Sequence, residues 1–496
     1  MQRERWIRML SLLLVISVSP VWVNAQGTSA TPPAPTPLPL TLTQTALDDE
    51  VVTAEIEAIL RDDKITSEQI IARMSDLLER FPNSALVYLR RGDVYSQMGD
   101  FQQAIKDYDQ AIVLDPALIE AYINKATSYA GLGNNKQALA IYDQAIGLDP
   151  ASALAYYNRG NIYRMMGDNA QAIADYDQAI ELDPAFAQPY YNRGNAYREQ
   201  GRYEQAVADY DQAIALDPTF LTAYYNRGIA YADMGDFVQA IADFDQAIAL
   251  APEAAPFYFH RGNAYMALRE YAQAVADYDQ AIELDPTFAT TFFQRGMAYA
   301  AVGDLEQALR NLDEAIALDP AYIDAYTSRG AVHFSLGNLE QALSDYNQLI
   351  ALDPENVYAY WGRGSVYFNL GDYEQAILDY DQAITFDPEN VTAYLQRGTA
   401  HYRLGDLEQA LSDYSSAMTL DPTNTSALVN RGFVAYTLGV ATDDPDAQLR
   451  YFQQALADFR QLTDSDQELP AQIQSRVQEI LDELEAMELP PMTPES

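Results

Sequence analysis

Prolines stand at Pro82, Pro116, Pro150, Pro184, Pro218, Pro252, Pro286, Pro320, Pro354, Pro388 and Pro422, and every interval is 34 residues. No other feature constrains the fold as much. Self-similarity at that period means one supersecondary unit repeated along the chain, each copy burying its apolar face only against its neighbours. The expectation is therefore a stack and not a single closed core.

Within each unit the residues between prolines divide into two helices. The first ends at a glycine seventeen residues after the proline: Gly99, Gly133, Gly167, Gly201, Gly235, Gly303, Gly337, Gly371, Gly405 and Gly439, with Arg269 as the exception. Glycine takes the left-handed C-terminal conformation at little cost. An Asp or Asn usually follows, and a Gln comes three residues later, as in Asp100 with Gln103 or Asp236 with Gln239, the spacing of a capping box that opens the second helix. In that helix Ala206, Tyr210 and Ala213 share a face at helical spacing, the alanines allowing close approach and the ring filling the gap between neighbouring pairs. Proline ends the unit because it cannot continue a helix.

These residues resemble the tetratricopeptide repeat family, which has the same aromatic, glycine and tyrosine order in its first helix (Tyr190, Gly194, Tyr197), the Ala-Tyr-Ala order in its second (Ala206, Tyr210, Ala213) and the closing proline (Pro218). Ten regular copies cover 83–422. The resemblance implies an all-α, right-handed α-solenoid of antiparallel helix pairs, first helices lining a concave groove and second helices facing outward. Residues 47–82 keep the length and Pro82 without the glycine and tyrosine signature and read as a degenerate N-capping repeat. The eleventh unit, 423–467, retains Asn430, Arg431, Gly432 and Gly439 but gains eleven residues (compare Ala410 with Ala455), about three helical turns, expected to lengthen its second helix in register. Residues 468–489, with Ile473, Val477, Ile480 and Leu484 on one face, read as a C-terminal capping helix, and 490–496 as a loose tail.

Residues 1–25 read as a secretory signal: Arg3, Arg5 and Arg8 precede an apolar run from Met9 to Val18, and Val23, Asn24 and Ala25 form a small-residue end with cleavage expected after Ala25. Retention as a membrane anchor is the alternative, although the run is shorter than the ~20 residues a spanning helix needs. Residues 26–46 carry Pro32, Pro33, Pro35, Pro37 and Pro39 and read as an extended linker. The expected location is therefore extracytoplasmic, secreted or periplasmic.

Charge and chemistry narrow the function. Against 72 Asp plus Glu there are 30 Lys plus Arg, a net −42, which disfavours nucleic acid and anionic lipid and suits a protein partner of basic character. The acids recur where the second helix opens, on both sides of its tyrosine and before the proline; on outward helices they speak for solubility and against self-association. There is no cysteine and there are three histidines. With no phosphate loop, zinc-protease motif or nucleophile elbow either, no catalytic residue, metal or cofactor is expected and the chain reads as non-enzymatic. His333 and His401 stand where other repeats have a packed tyrosine, and Asp443, Asp444 and Asp446 are the best cation candidates.

Nine residues after each proline stands a base, such as Arg159, Arg193 or Arg227, and the second helix carries Asp175, Asp209 or Asp243 at one fixed place, so a structural Arg–Asp ladder is expected. Lys125 falls where that aspartate is Ile141, as a guanidinium fork deprived of its carboxylate would predict; Asn311 opposite Arg295 runs against it. The candidate groove residues lie seven, eight, eleven and fourteen after the proline. They are the aromatics Tyr157, Tyr191, Tyr225, Phe259, Phe293 and Trp361; then Asn124, Asn158, Asn192 and Asn226, with His260 in an asparagine's place; then Asn161, Asn195 and Asn263; then Arg164 and Arg198. An asparagine amide both donates and accepts, so a row of them can pair with an extended backbone without reading its side chains. The row resembles the asparagine ladder lining the repeat superhelix of O-linked N-acetylglucosamine transferases, without their catalytic domain. The lysines with which another branch of the family grips C-terminal carboxylates are missing from these places. The expected function is a binding scaffold holding an extended protein or peptide segment in the groove; glycan binding through the same rows, and a purely architectural role, are the alternatives.

Overall fold

The structure is a computed structural model and describes residues 44–62, 64–464, 469–487 and 489. The expected leader 1–25 and the expected tail 490–496 lie outside the described residues, as does the Pro-rich segment up to residue 43. Among the described residues there are twenty-five α-helices and no strand, an all-α solenoid of tandem helix hairpins. They fall into two compact units parted between Leu132 and Gly133, inside the second regular repeat.

In the first unit, helix Gln44–Leu60 starts before the expected end of the linker and pairs with helix Ser67–Arg80. Val52, Ile56 and Ile59 of the former meet Met74, Leu77 and Leu78 of the latter, and Val87 of the next helix closes the cluster. Thr66 and Gln69 exchange the two bonds of a complete capping box, and Arg80 grips Glu55 through both guanidinium nitrogens at 2.6 and 2.7 Å.

The second unit repeats one construction. In helices Ala187–Glu199 and Tyr203–Leu216, Ala206, Tyr210 and Ala213 are fully buried. Gly194 marks the closest approach of the pair: a Cβ there would lie 2.8 Å from the Tyr210 ring and 3.2 Å from the Ala206 carbonyl oxygen. The first helix stops where Gly201 turns to φ 74°, and Arg269 adopts the same left-handed turn at φ 61° without glycine's freedom. The expected capping boxes are half made. Asp168, Asp236, Asp304 and Asp372 accept from the backbone N–H of Gln171, Gln239, Gln307 and Gln375, but among the described residues only Gln69 returns a bond to its cap. Asp183 and Asp217, each before a proline, accept from the backbone N–H two residues on and so hold the inter-repeat turn.

The Arg–Asp ladder is present and goes further than pairing within a repeat. Arg193 grips Asp209 of its own repeat through Nε and Nη2 (2.8 and 2.6 Å) and turns Nη1 to Asp177 of the preceding repeat. Arg159 spans Asp175 and Asp143, and Arg329 spans Asp345 and Asp313, in the same way. Where Asn311 replaces the acid, Arg295 keeps one bond to its oxygen at 2.7 Å and the spare amide hydrogen goes to the Gln307 carbonyl. Tyrosine rings such as Tyr190 lie under the guanidinium, 5.6 Å from Arg193. The second aspartate row, such as Asp177, expected to be solubilising charge, is therefore engaged between repeats.

Successive first helices of this unit approach one another, and successive second helices do not do so to the same degree, so the first helices occupy the inner side of the stack. At its end the insertion is shared out. Helix Thr425–Ala441 runs three residues past its counterpart Val391–Leu404, and helix Pro445–Thr463 gains two turns at its start. Gly439 thus lies inside a helix against the Phe452 ring and is not a stop. Asp444 caps helix Pro445–Thr463, and no group of acids or histidines able to hold a metal ion occurs among the described residues. Helix Ala471–Ala486 covers Phe452, Phe459 and Leu462 with Val477, Ile480, Leu481 and Leu484. Among the described residues no helix is long and apolar enough to cross a membrane.

Candidate binding groove

The inner face of the second unit is built from the first helices Ala153–Met165, Ala187–Glu199 and Leu221–Asp233 and their successors. Two residue sets converge on it. Asn192 donates to the Asn161 carbonyl oxygen at 2.7 Å and to the Tyr157 hydroxyl at 3.1 Å, while the buried Tyr176 hydroxyl donates to the same Asn161 oxygen at 2.7 Å. One repeat on, Asn226 donates to Asn195 (3.1 Å) and Tyr191 (2.7 Å), and Tyr210 donates to Asn195 (2.8 Å). Burial pushes the Tyr157, Tyr176 and Tyr210 phenols up, so these hydroxyls remain protonated donors.

The asparagines are thus a structural tie before they are a ligand surface. The amide eight residues after one proline reaches the amide eleven after the previous proline, which also anchors the core tyrosine of its own repeat. Asn263 accepts from Tyr278 in the same way. In the first unit Asp93 takes this role, accepting from Tyr108 and from Asn124. Asn158 lies half-buried on helix Ala153–Met165. The ties use the amide hydrogens of Asn192 and Asn226 and the amide oxygens of Asn161 and Asn195. Each pair therefore has an acceptor oxygen and a donor N–H2 not used by them, held at repeat spacing.

The aromatic row is packed between repeats and does not lie open as a platform. Tyr157, Tyr191 and Tyr225 sit 5.0, 4.9 and 5.0 Å from Phe186, Phe220 and Phe257, and Phe293 lies 5.1 Å from Tyr322. His260, in an asparagine's place, packs among Tyr225, Phe244 and Phe259. Trp361 and Phe259 are half-buried over the core tyrosines Tyr380 and Tyr278, and the Trp361 indole nitrogen is buried without a hydrogen-bond partner. Arg164 donates from Nη1 to Glu199 at 3.0 Å, and Nε of both Arg164 and Arg198 is buried without a partner. His333 is half-buried in a tyrosine's place, and burial holds its imidazole below the ordinary value. The inter-repeat use of the asparagines and of the second aspartate row was not read from the sequence, although a signal exists: Arg159, Arg193, Arg227, Arg261, Arg329 and Arg397 each have an aspartate sixteen residues away on both sides.

The TPR repeat model matches residues 126–167, 160–197, 194–235, 262–303, 298–337, 332–371, 364–405 and 398–439, and the tetratricopeptide repeat model matches 85–118 and 222–253. Similar solved structures include MamA (29% identical, covering 35% of this chain and 94% of that one, TM-score 0.31). YrrB, described as a TPR protein with an unusual peptide-binding site, is 26% identical (37% and 95% covered, TM-score 0.35). PilF of Pseudomonas aeruginosa is 24% identical (42% and 93% covered, TM-score 0.37). No curated protein matches the chain.

Proposed function

The chain belongs to the tetratricopeptide repeat family, and from that premise we propose that it is a non-enzymatic scaffold acting outside the cytoplasm, holding an extended segment of another protein along the inner face of its first helices. Stacked repeats of this kind serve as protein–protein interaction scaffolds; the groove, the extended ligand and the location are our reading. The observation that carries it is two successive amide pairs, Asn192 with Asn161 and Asn226 with Asn195, fixed by ties to Tyr157, Tyr176, Tyr191 and Tyr210. A donor and an acceptor held at regular spacing match the alternating C=O and N–H groups of an extended backbone, and their rigidity lowers the ordering cost of binding.

The test is site-specific photo-cross-linking in the host cell. A photoreactive residue replaces Ala232 or Ala300 on first helices, or the exposed Gln212 or Gln246 on second helices. Adducts to a polypeptide from the first pair and not from the second are expected. Adducts confined to Gln212 and Gln246 would move the working face outward and end the groove reading. Fractionation of the same cells tests the location: the chain should be found outside the cytoplasm and begin at Gln26.

A further inference from the structure

We propose that the edge formed by the turns inside the four repeats of 287–422 is a second docking surface, taken by a cationic amphipathic helix of a partner protein. Sixteen residues after the proline, where each first helix ends, these repeats carry Val302, Leu336, Leu370 and Leu404. They are 59%, 43%, 53% and 37% exposed. Apolar side chains scattered singly over a surface need no explanation. These are not scattered: consecutive repeats pack directly on one another, so one place in the unit becomes one file along the edge of the stack. The file stands at the turn end of the helix hairpins, in repeats beyond those that carry the asparagine ties. Earlier in the chain it is interrupted, by Gln200 at the same place and by Arg269 directly after Leu268.

The chain itself covers this place once, and it does so with a helix. Leu438 of the eleventh unit corresponds to Leu404 and is 8% exposed, in a cluster that Tyr451 of the lengthened helix Pro445–Thr463 joins. After Val302, Leu336, Leu370 and Leu404 no such turns are added, and the second helix begins three residues on. Charge gives the sign of the occupant. Those second helices open beside the file with exposed acids: Asp304 and Glu306, then Glu340, then Asp372 and Glu374, then Glu408. Glu340, Glu374 and Glu408 have no ion-pair partner among the described residues, and Glu306 meets Arg310 at 3.9 Å. Arg403, next to Leu404, is outnumbered. An apolar file bordered by unpaired carboxylates matches a helix whose leucine-type stripe is bordered by lysine or arginine. The apolar contact then supplies affinity, and the charges set register and speed encounter. A second copy brings its own net −42 to the same edge, and an anionic lipid surface is repelled by it.

Fluorescence anisotropy tests this, with labelled synthetic helices of about twenty residues titrated with the full chain. One peptide, of Leu, Lys and Ala, carries a leucine stripe bordered by lysines; a second has glutamate for every lysine, and a third serine for every leucine. The first should bind roughly tenfold tighter than either of the others. Leu336→Ser with Leu370→Ser should weaken it roughly tenfold. Glu340→Gln, Glu374→Gln and Glu408→Gln together should weaken it about fivefold at low salt and far less at about 0.5 M salt. The same exchange at the exposed Glu283, Glu314 and Glu389, toward the other end of the hairpins, should leave binding unchanged. Circular dichroism follows the fold of each variant, and should the serine variant lose helicity the two glutamate sets decide alone. Failure of the first peptide to bind, equal losses from both glutamate sets, or full affinity in a folded serine variant overturns the proposal. A dimer in sedimentation that Leu336→Ser with Leu370→Ser dissolves would assign the edge to a second copy and overturn it as well. None of these substitutions touches the asparagine and tyrosine ties, so the groove reading stands or falls separately.

Discussion

Replacing Asp209 by alanine is the sharpest test of how this solenoid is held together. Asp209 is 5% exposed and receives two bonds from Arg193, at 2.8 and 2.6 Å. Removing one partner of a buried pair costs about 3–5 kcal/mol when the other charge is left with nothing. Arg193 is not left with nothing, because its side chain is 18% exposed and Nη1 still holds Asp177. The expected loss is therefore about 2–3 kcal/mol, roughly a 30- to 150-fold rise in local opening. Asp209→Asn should cost only about 1 kcal/mol, because Arg295 and Asn311 already show the fallback geometry, with one bond kept and the amide hydrogen turned to the helix carbonyl. Long repeat arrays depart from two-state unfolding, so the assay is native-state hydrogen exchange resolved by helix, not a single melting temperature. Faster exchange should centre on helices Ala187–Glu199 and Tyr203–Leu216 and their immediate neighbours. A cost below about 0.5 kcal/mol for the alanine variant, or equal costs for alanine and asparagine, would refute the ladder as a source of stability and reduce it to decoration of a helix stack.

Other expectations follow from single contacts. Gly194→Ala pushes a Cβ to 2.8 Å from the Tyr210 ring and should cost about 1–3 kcal/mol, measured by the same exchange experiment. Arg269→Gly relieves a left-handed backbone at φ 61° and should stabilise its repeat by up to about 1 kcal/mol, offset in part by the freer unfolded chain; a lower urea midpoint would contradict this. Asn192→Ala breaks ties to Asn161 and Tyr157 and should cost about 1 kcal/mol, so its effect on binding must be read beside its effect on stability. Because burial lowers the His333 pKa, the unfolded chain binds the proton more readily: stability contributed by this site is complete above the ordinary histidine value of about 6.5 and falls as pH drops below it. His333→Tyr, the residue at the equivalent Tyr299 and Tyr367, should flatten that slope in urea titrations between about pH 5 and 7.

The sequence by itself determined the period, the two helices per unit, the glycine stops, the buried alanine–tyrosine face and the pairing of Arg193 with Asp209. Each of these is either a local backbone preference or a contact inside one repeat, and eleven prolines in register make such features legible. Tertiary structure decided what a period cannot: which copy a side chain touches. Asn192 and Asn161 are 31 residues apart, and Arg193 and Asp177 sixteen, in separate repeats. A repeating text assigns every residue a place in the unit but leaves open whether its partner is in the same copy or the next. That choice made the asparagine row a structural tie first, took the second aspartate row, such as Asp177, out of the free charge and packed Tyr191 and His260 between repeats. It also buried the Nε atoms of Arg164 and Arg198 without a hydrogen-bond partner. The insertion followed the same logic. Its length was plain, but its division between helices Thr425–Ala441 and Pro445–Thr463 depended on how Gly439 and Phe452 pack, a contact that exists only once the helices lie side by side.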